Sequence, residues 1–274
     1  MSFLKVDESK CTQCGICAAI CPAEIVSFGD QGLPEVASLA ANMCIKCGQC
    51  VLYCPTCANT LAFQNENELV RAGDLAMPGK EDALNLLKTR RSTRKYKDQT
   101  LKKEEIAALL DAVKMAPTAV NSQNVRWIVT QTREKTAEAA NLVLCWMREE
   151  IFKDPTSRNA LTGARLIAKA KEGGDGVLRG APHVIVAVTP KSYMWPEDGA
   201  IALTYLELAA HASGLGCCWG GFLTHATRNF EPLREFFGIT EEEHVCGAQM
   251  IGYPALLPTR QFPPRKNITV DWVK

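Results

Sequence analysis

Eight cysteines crowd into the first fifth of the 274-residue chain in two copies of one spacing, C-x2-C-x2-C-x3-C-P. The first copy is Cys11, Cys14, Cys17 and Cys21, the second Cys44, Cys47, Cys50 and Cys54, each cysteine 33 residues after its counterpart. Pro22 and Pro55 close the two runs. Thiolates at this spacing suit an iron–sulfide cubane, which needs four of them set tetrahedrally. The x2 turns bring three to one cluster, and the x3 step carries the fourth away. A disulfide framework or a pair of zinc sites would use the same residue type. Zinc ligands, however, come as separated C-x2-C pairs, which runs of four cysteines with a trailing proline fit poorly. Cys57, in C-P-T-C, lies close to Cys54 but at the wrong spacing and stays outside the ligand set.

Residues 1 to about 62 resemble a bacterial two-[4Fe-4S] ferredoxin. In that pattern the fourth cysteine of each run serves the other cluster. The resemblance therefore implies Cys11, Cys14, Cys17 and Cys54 for one cluster and Cys44, Cys47, Cys50 and Cys21 for the other. A segment of about sixty residues buries too little surface to be stable alone, so cluster ligation is expected to hold it together.

A second chemistry-bearing stretch is K-T-R-R-S-T-R-K-Y-K, with six cations between Lys88 and Lys97 and no acid. Charge is unevenly spread along the chain. Residues 1–62 carry three lysines and five acidic residues, residues 63–79 one arginine and three acidic residues, and the remainder 27 basic against 22 acidic groups. A solvated helix end or a nucleic-acid patch would also use such a run. Nucleic-acid binding would call for a domain-wide basic excess and interleaved aromatics, which the sequence lacks.

The elements that must position these groups fall into an α+β arrangement. Residues 1–62 form the cysteine-rich domain, 63–79 a polar linker closed by Pro78-Gly79, and 80–274 a larger domain. Apolar spacing predicts helices over Glu81–Arg91, Lys102–Met115, Glu134–Phe152, Arg158–Glu172 and Asp198–Ala212, with a short one at Arg234–Phe237. Strands are expected at Trp127–Thr130, His183–Val188, Cys217–Trp219 and Val245–Ile251, and a loop at Gly173–Gly176.

Six segments in order make residues 80–274 similar to the nitroreductase family of FMN enzymes. They are R-R-S-T-R at Arg90–Arg94, A-P-T-A-V-N-S-Q at Ala116–Gln123, G-A-P-H-V-I-V from Gly180, A-A-H-A-S-G-L-G-C-C-W-G-G-F at Ala209–Phe222, G-Y-P at Gly252–Pro254 and P-P-R-K at Pro263–Lys266. The resemblance implies a homodimer with FMN between subunits. It assigns the flavin phosphate to Arg90, Ser92 and Arg265, with Arg91 and Lys266 beside them, and the pyrimidine edge to Arg94. Each charge-assisted contact to the phosphate is worth roughly 1.5–3 kcal/mol. Pro117, Asn121 and Gln123 fall in the segment implied to meet the ring, where the two amides suit its carbonyls and nitrogens. Trp219, Gly220 and Gly221 would allow close approach of backbone. Before the long helix the family presents N–H groups to flavin N5; here Pro196 has none to give, which leaves Glu197 as the candidate.

The expected function is an FMN-dependent oxidoreductase in which two [4Fe-4S] clusters relay single electrons to the flavin, which reduces a small acceptor such as a nitroaromatic or quinone. The flavin N5 carries the transfer, so no catalytic side chain is required. The alternatives are an NAD(P)H-dependent nitroreductase with accessory clusters, and a non-catalytic electron carrier or redox sensor. The external donor would be ferredoxin or NAD(P)H; the chain has no G-x-G-x-x-G after a strand, which decides little because the family takes nicotinamide directly at the flavin. No apolar run reaches membrane-span length and the N-terminus lacks a signal peptide's apolar stretch, so a reducing, cytoplasmic setting is expected. His183, opening a strand, His211, on an apolar helix, and His225 and His244, expected in loops, form no ligand set or triad. Cys217-Cys218 reads as strand packing. Trp146, Met147, Tyr193, Met194 and Trp195 read as core before they read as pocket.

Overall fold

The structure is a computed structural model, and it describes residues 3–273. Its chain divides into two units: Met1–Gly79 with Ala119–Ser122, and Lys80–Thr118 with Gln123–Lys274.

In the first unit β1 (Leu4–Val6) pairs antiparallel with β4 (Asn59–Leu61), and β2 (Val26–Phe28) pairs with β3 (Pro34–Val36). One-turn helices α1 (Ile16–Ala19) and α2 (Gln49–Leu52) each carry the third cysteine of their run, Cys17 and Cys50. The sequence repeat is a backbone repeat. Gln13 and Gly15 take left-handed φ values of 57° and 79°, and Lys46 and Gly48, 33 positions on, take 55° and 73°. These steps curl each run so that its cysteines face inward. Glu24 and Cys57 match in the same way, both at φ 53°. Cys57 therefore occupies the turn position that Glu24 holds in the first copy, which is why it is no ligand equivalent. Four buried apolar residues, Leu4, Ile25, Val36 and Leu61, make up this unit's core.

The second unit is built on a four-stranded antiparallel sheet in the order β5-β6-β8-β7, from β5 (Arg126–Val129), β6 (His183–Pro190), β7 (Gly216–Trp219) and β8 (Glu243–Gly252). Its helices are α3 (Lys80–Thr89), α4 (Lys103–Val113), α5 (Arg133–Lys153), α6 (Arg158–Lys171), α7 (Glu197–Ala212), α8 (Gly221–Asn229) and α9 (Glu231–Phe236). Strand alternation divides the interior in two. Ile185, Ala187, Cys217 and Ile251 join α4 and α7 on one face, while Val184, Val186, Val188, Cys218 and Met250 join α5, α8 and α9 on the other. With both faces covered, Val184–Val188 of β6 reads as an unbroken apolar run. Near the start of α7, Gly199 lies so close to the Cys246 side chain that a Cβ there would collide with it.

In the second unit, helix α8 is the helix the periodicity does not announce. His225, expected in a loop, lies on α8, and His244, likewise expected in a loop, lies on β8. Residues 255–273 carry no regular structure and are exposed.

Candidate cofactor sites

The eight thiols gather into two sets of four. A cavity of about 310 Å³ is ringed by Cys11, Cys14, Cys17 and Cys54, and one of about 420 Å³ by Cys21, Cys44, Cys47 and Cys50. These are the two interleaved sets implied by the ferredoxin pattern. Among the described residues no three His, Cys, Asp or Glu side chains converge tightly enough for a single metal ion. The thiols instead stand around voids, as a polynuclear cluster requires. Burial first, then the neighbouring Cys47, Cys44 and Cys21, push the Cys50 thiol up to about 11. Four thiolates cannot share this space without compensating positive charge, which iron would supply. Cys54 behaves oppositely. Burial raises it, but N–H groups of Asn59, Ala58 and Thr56 and the Thr56 hydroxyl outweigh that and hold it below its ordinary value. The Ala58 N–H donates to Cys54 Sγ at 3.2 Å, the type of contact that tunes a cluster's potential.

In the second unit the R-R-S-T-R segment is anchored by main chain. The Thr93 N–H donates to the Cys217 carbonyl at 2.8 Å, Lys97 N–H to Tyr253, and Ala255 N–H to Lys95. Gly216 makes the approach possible, because a Cβ there would overlap Thr93 Oγ1. Tyr96 Oη, largely buried, donates to the Thr93 carbonyl at 2.9 Å. Two cavities of about 930 Å³ flank the segment, and Arg94 lines both. Arg91 and Ser92 line the first with Lys95, His211 and Pro254. Trp219, Gly220 and Gly221 line the second with Trp146, Arg179 and His225. Neither cavity has an acidic side chain in its lining.

That chemistry fits a phosphorylated flavin. Guanidiniums and a hydroxyl suit the phosphate, and Gly220 and Gly221, at the start of α8, offer main chain with no side chain in the way. Trp146 supplies a further donor: it is 2% exposed, lines the cavity, and its indole Nε1 is buried without a partner among the described residues. It meets His225 edge-on at 5.2 Å between ring centroids.

The other expected flavin residues lie elsewhere. Arg90 forms a half-buried ion pair with Glu207 of α7, at 2.7 Å. Asn121 lines neither cavity; it donates to the Ile45 carbonyl at 3.1 Å within its own unit. Pro117 and Gln123 are exposed, Glu197 opens α7, and Arg265 and Lys266 sit in the exposed C-terminal stretch. Of the aromatic and Met candidates, Trp146 and Met147 are core, whereas Met194 and Trp195 are exposed. Tyr193 Oη donates to Asp198 at 2.9 Å. Cys217 and Cys218 are buried on opposite faces of β7, and burial raises both thiols. Sequence reasoning missed Arg179. A lone arginine in a loop carries no spacing signal; its position is set by Asp175, whose carboxylate accepts the N–H groups of Val177, Leu178 and Gly180 at 2.8–2.9 Å.

Comparison with known proteins agrees with this division. Residues 10–59 match the model of the 4Fe-4S dicluster domain, and residues 87–253 that of the nitroreductase family. A protein of Methanothermobacter thermautotrophicus named as a putative NADH dehydrogenase/NAD(P)H nitroreductase is 30% identical over 200 residues, 70% of this chain and 89% of its own. One of the same name from Archaeoglobus fulgidus is 28% identical over 179 residues, 64% of this chain and 86% of its own. Among solved structures, an FMN-bound nitroreductase of Desulfitobacterium hafniense superposes with a TM-score of 0.55 at 21% identity, covering 71% of this chain and 99% of that one. Another from Bacteroides fragilis gives 0.54 at 20%, covering 69% and 98%. These two likenesses show the fold. Among the described residues no helix is long and apolar enough to cross a membrane. With the family's model matched across the sheet, its covering helices and the segment anchored on β7, the chain belongs to the nitroreductase family and carries a 4Fe-4S dicluster domain at its N-terminal end.

Proposed function

We propose that this chain is an FMN-dependent oxidoreductase in which two [4Fe-4S] clusters feed electrons to the flavin for reduction of a small organic acceptor, a nitroaromatic or quinone. The observation that carries it is the sorting of eight thiols into two four-thiol cavities in a chain whose larger part belongs to a flavin-enzyme family. When bound, the clusters supply one-electron transfer and the flavin both one- and two-electron chemistry, so together they join single-electron donors to a two-electron reduction. The chain's own residues hold and tune these groups. Arg91, Ser92 and Arg94 offer charge and donors to a phosphorylated flavin, Gly220 and Gly221 admit the ring, and the Ala58 N–H stabilises the Cys54 thiolate. Domain limits of 1–62, a 63–79 linker and 80–274 serve this reading.

A homodimer belongs to the same proposal. Helix α7 buries Ala202, Leu203, Leu206 and Ala210 against the sheet yet exposes Ile201 and Tyr205. The C-terminal stretch exposes Leu256, Leu257, Ile268, Trp272 and Val273. A second copy would cover both surfaces, and would bring Asn121, Gln123, Glu197, Arg265 and Lys266 to a site that a single chain leaves incomplete.

Replacing Cys11 or Cys47 with Ala tests the relay. Acceptor reduction driven by reduced ferredoxin should vanish while FMN stays bound, and chemically reduced FMN in the same variants should still reduce a nitroaromatic in a single turnover. Steady NAD(P)H turnover indifferent to either cysteine would establish accessory clusters instead. Absence of turnover with every acceptor would favour an electron carrier.

A further inference from the structure

The Trp146-lined cavity does not end at α8. Arg179 and Phe222 belong also to an adjoining groove of about 490 Å³ whose other walls are Arg165, Leu166, Lys169 and Gly176. Three cations, Arg165, Lys169 and Arg179, therefore face one concavity with no acidic side chain in its lining. Among the described residues none of the three takes part in an ion pair.

Their placement is specified by the fold. Arg165 and Lys169 are one turn apart on α6 and share a face. The loop that follows presses onto that face: a Cβ on Gly176 would lie 2.5 Å from Leu166 Cδ2 and 3.3 Å from Lys169 Cδ, and one on Gly174 would lie 3.0 Å from Lys169 Cγ. The lysine stem thus lies against the loop. Arg179 is held in the left-handed region at φ 61°, costly for a residue with a side chain, by the three N–H bonds to Asp175. Lys169 also lies in the last turn of α6, where a cation is favoured by the helix dipole alone. That account covers neither Arg165 nor the strained Arg179.

Resting on the flavin reading above, we infer that this groove binds the phosphate or diphosphate of a small molecule whose planar ring shares the adjoining cavity with the flavin. Three cations around one concavity match a group carrying about two negative charges better than a single carboxylate, for which one bidentate arginine suffices. The Trp146 Nε1 donor and the Trp219 and Phe222 rings give the attached ring a wall and a polar handle. Two sources share this chemistry: a dinucleotide electron donor and a phosphorylated acceptor.

The test uses the FMN-loaded, cluster-containing protein and inorganic pyrophosphate as probe, titrated calorimetrically. The variants are Arg165→Ala/Lys169→Ala and Arg179→Gly, the latter because glycine accepts the positive φ without strain and keeps the loop folded. Loss of each pair or single cation should weaken pyrophosphate binding about tenfold or more, while FMN content of the Arg165→Ala/Lys169→Ala protein stays that of the parent. Kinetics then separate the sources. If the groove serves the donor, the KM for NADH rises in the variants and that for phosphate-free reduced nicotinamide riboside does not. If it serves the acceptor, the KM for 4-nitrophenyl phosphate rises and that for nitrobenzene does not. Pyrophosphate binding unchanged in both variants, or FMN lost together with it from the Arg165→Ala/Lys169→Ala protein, would overturn the inference. A parent protein that holds no FMN at all would instead remove the flavin reading on which it stands.

Discussion

His183 shows what a single buried polar side chain fixes. It is 0% exposed, its Nε2 accepts the Leu101 N–H at 2.9 Å, and its Nδ1 faces the Thr130 carbonyl at 2.8 Å, so the neutral Nδ1–H tautomer satisfies both. Burial holds its pKa below the ordinary 6.5, and burial does the same for His211 and His244. The unfolded chain therefore takes up protons first as pH falls through about 6.5, and stability present above that value is lost below it. Urea melts at pH 7.5 and 5.5 should show this loss, and a smaller one in His183→Gln. Gly216→Ala is expected to cost about 1–3 kcal/mol, because the new methyl overlaps Thr93, and to loosen FMN by shifting the arginine segment. Unchanged thermal stability together with unchanged FMN retention would rule that out. Glu207→Gln releases Arg90 from its carboxylate partner. If Arg90 serves the flavin phosphate, Arg90→Ala should weaken FMN about ten- to a hundredfold, whereas Glu207→Gln should not weaken it. The two interleaved cysteine sets follow from the resemblance of the repeated spacing to a ferredoxin's, and the same two sets ring the two cavities. Arg179 was not legible in the sequence, since a loop arginine gains its position from Asp175 and from backbone strain.

At the level of elements, periodicity located most of the larger unit's helices and strands. It failed at α8, whose buried positions Leu223, Thr224, Ala226 and Thr227 include two threonines. Their hydroxyls are satisfied internally, Thr227 Oγ1 donating to the Leu223 carbonyl and Thr224 Oγ1 accepting the Ala248 N–H. Polar letters thus conceal an apolar face, and the preceding Gly220-Gly221 reads as a turn. Helix α7 was visible as a long apolar segment, and its two-sidedness now has a physical shape. Replacing Tyr205 with Asp on the exposed side should leave the monomer's core intact yet convert a dimer to monomers. Light scattering and FMN content would be expected to change together, and a monomeric parent protein that still holds FMN would sink the dimer.

Considered as a whole molecule, the chain should carry about eight iron atoms and one FMN when purified anaerobically; zinc in place of iron, or FAD in place of FMN, would contradict the cofactor set. The sequence announced both units through motifs, but of the residues that the resemblance implies for the flavin only Arg91, Ser92, Arg94 and Trp219–Gly221 line the two cavities, because order along a chain does not say which residues the fold brings together. The interleaving of thiols has a further consequence, for biosynthesis. Each cavity draws three cysteines from one repeat and one from the other. A nascent chain that has released only the first repeat therefore holds no complete four-thiol set; the set begun by Cys21 closes when Cys50 has left the ribosome, and the set begun by Cys11 only with Cys54. Any cluster that these sets hold would thus be loaded late, into a nearly finished segment, and a truncation between the repeats would leave neither set complete.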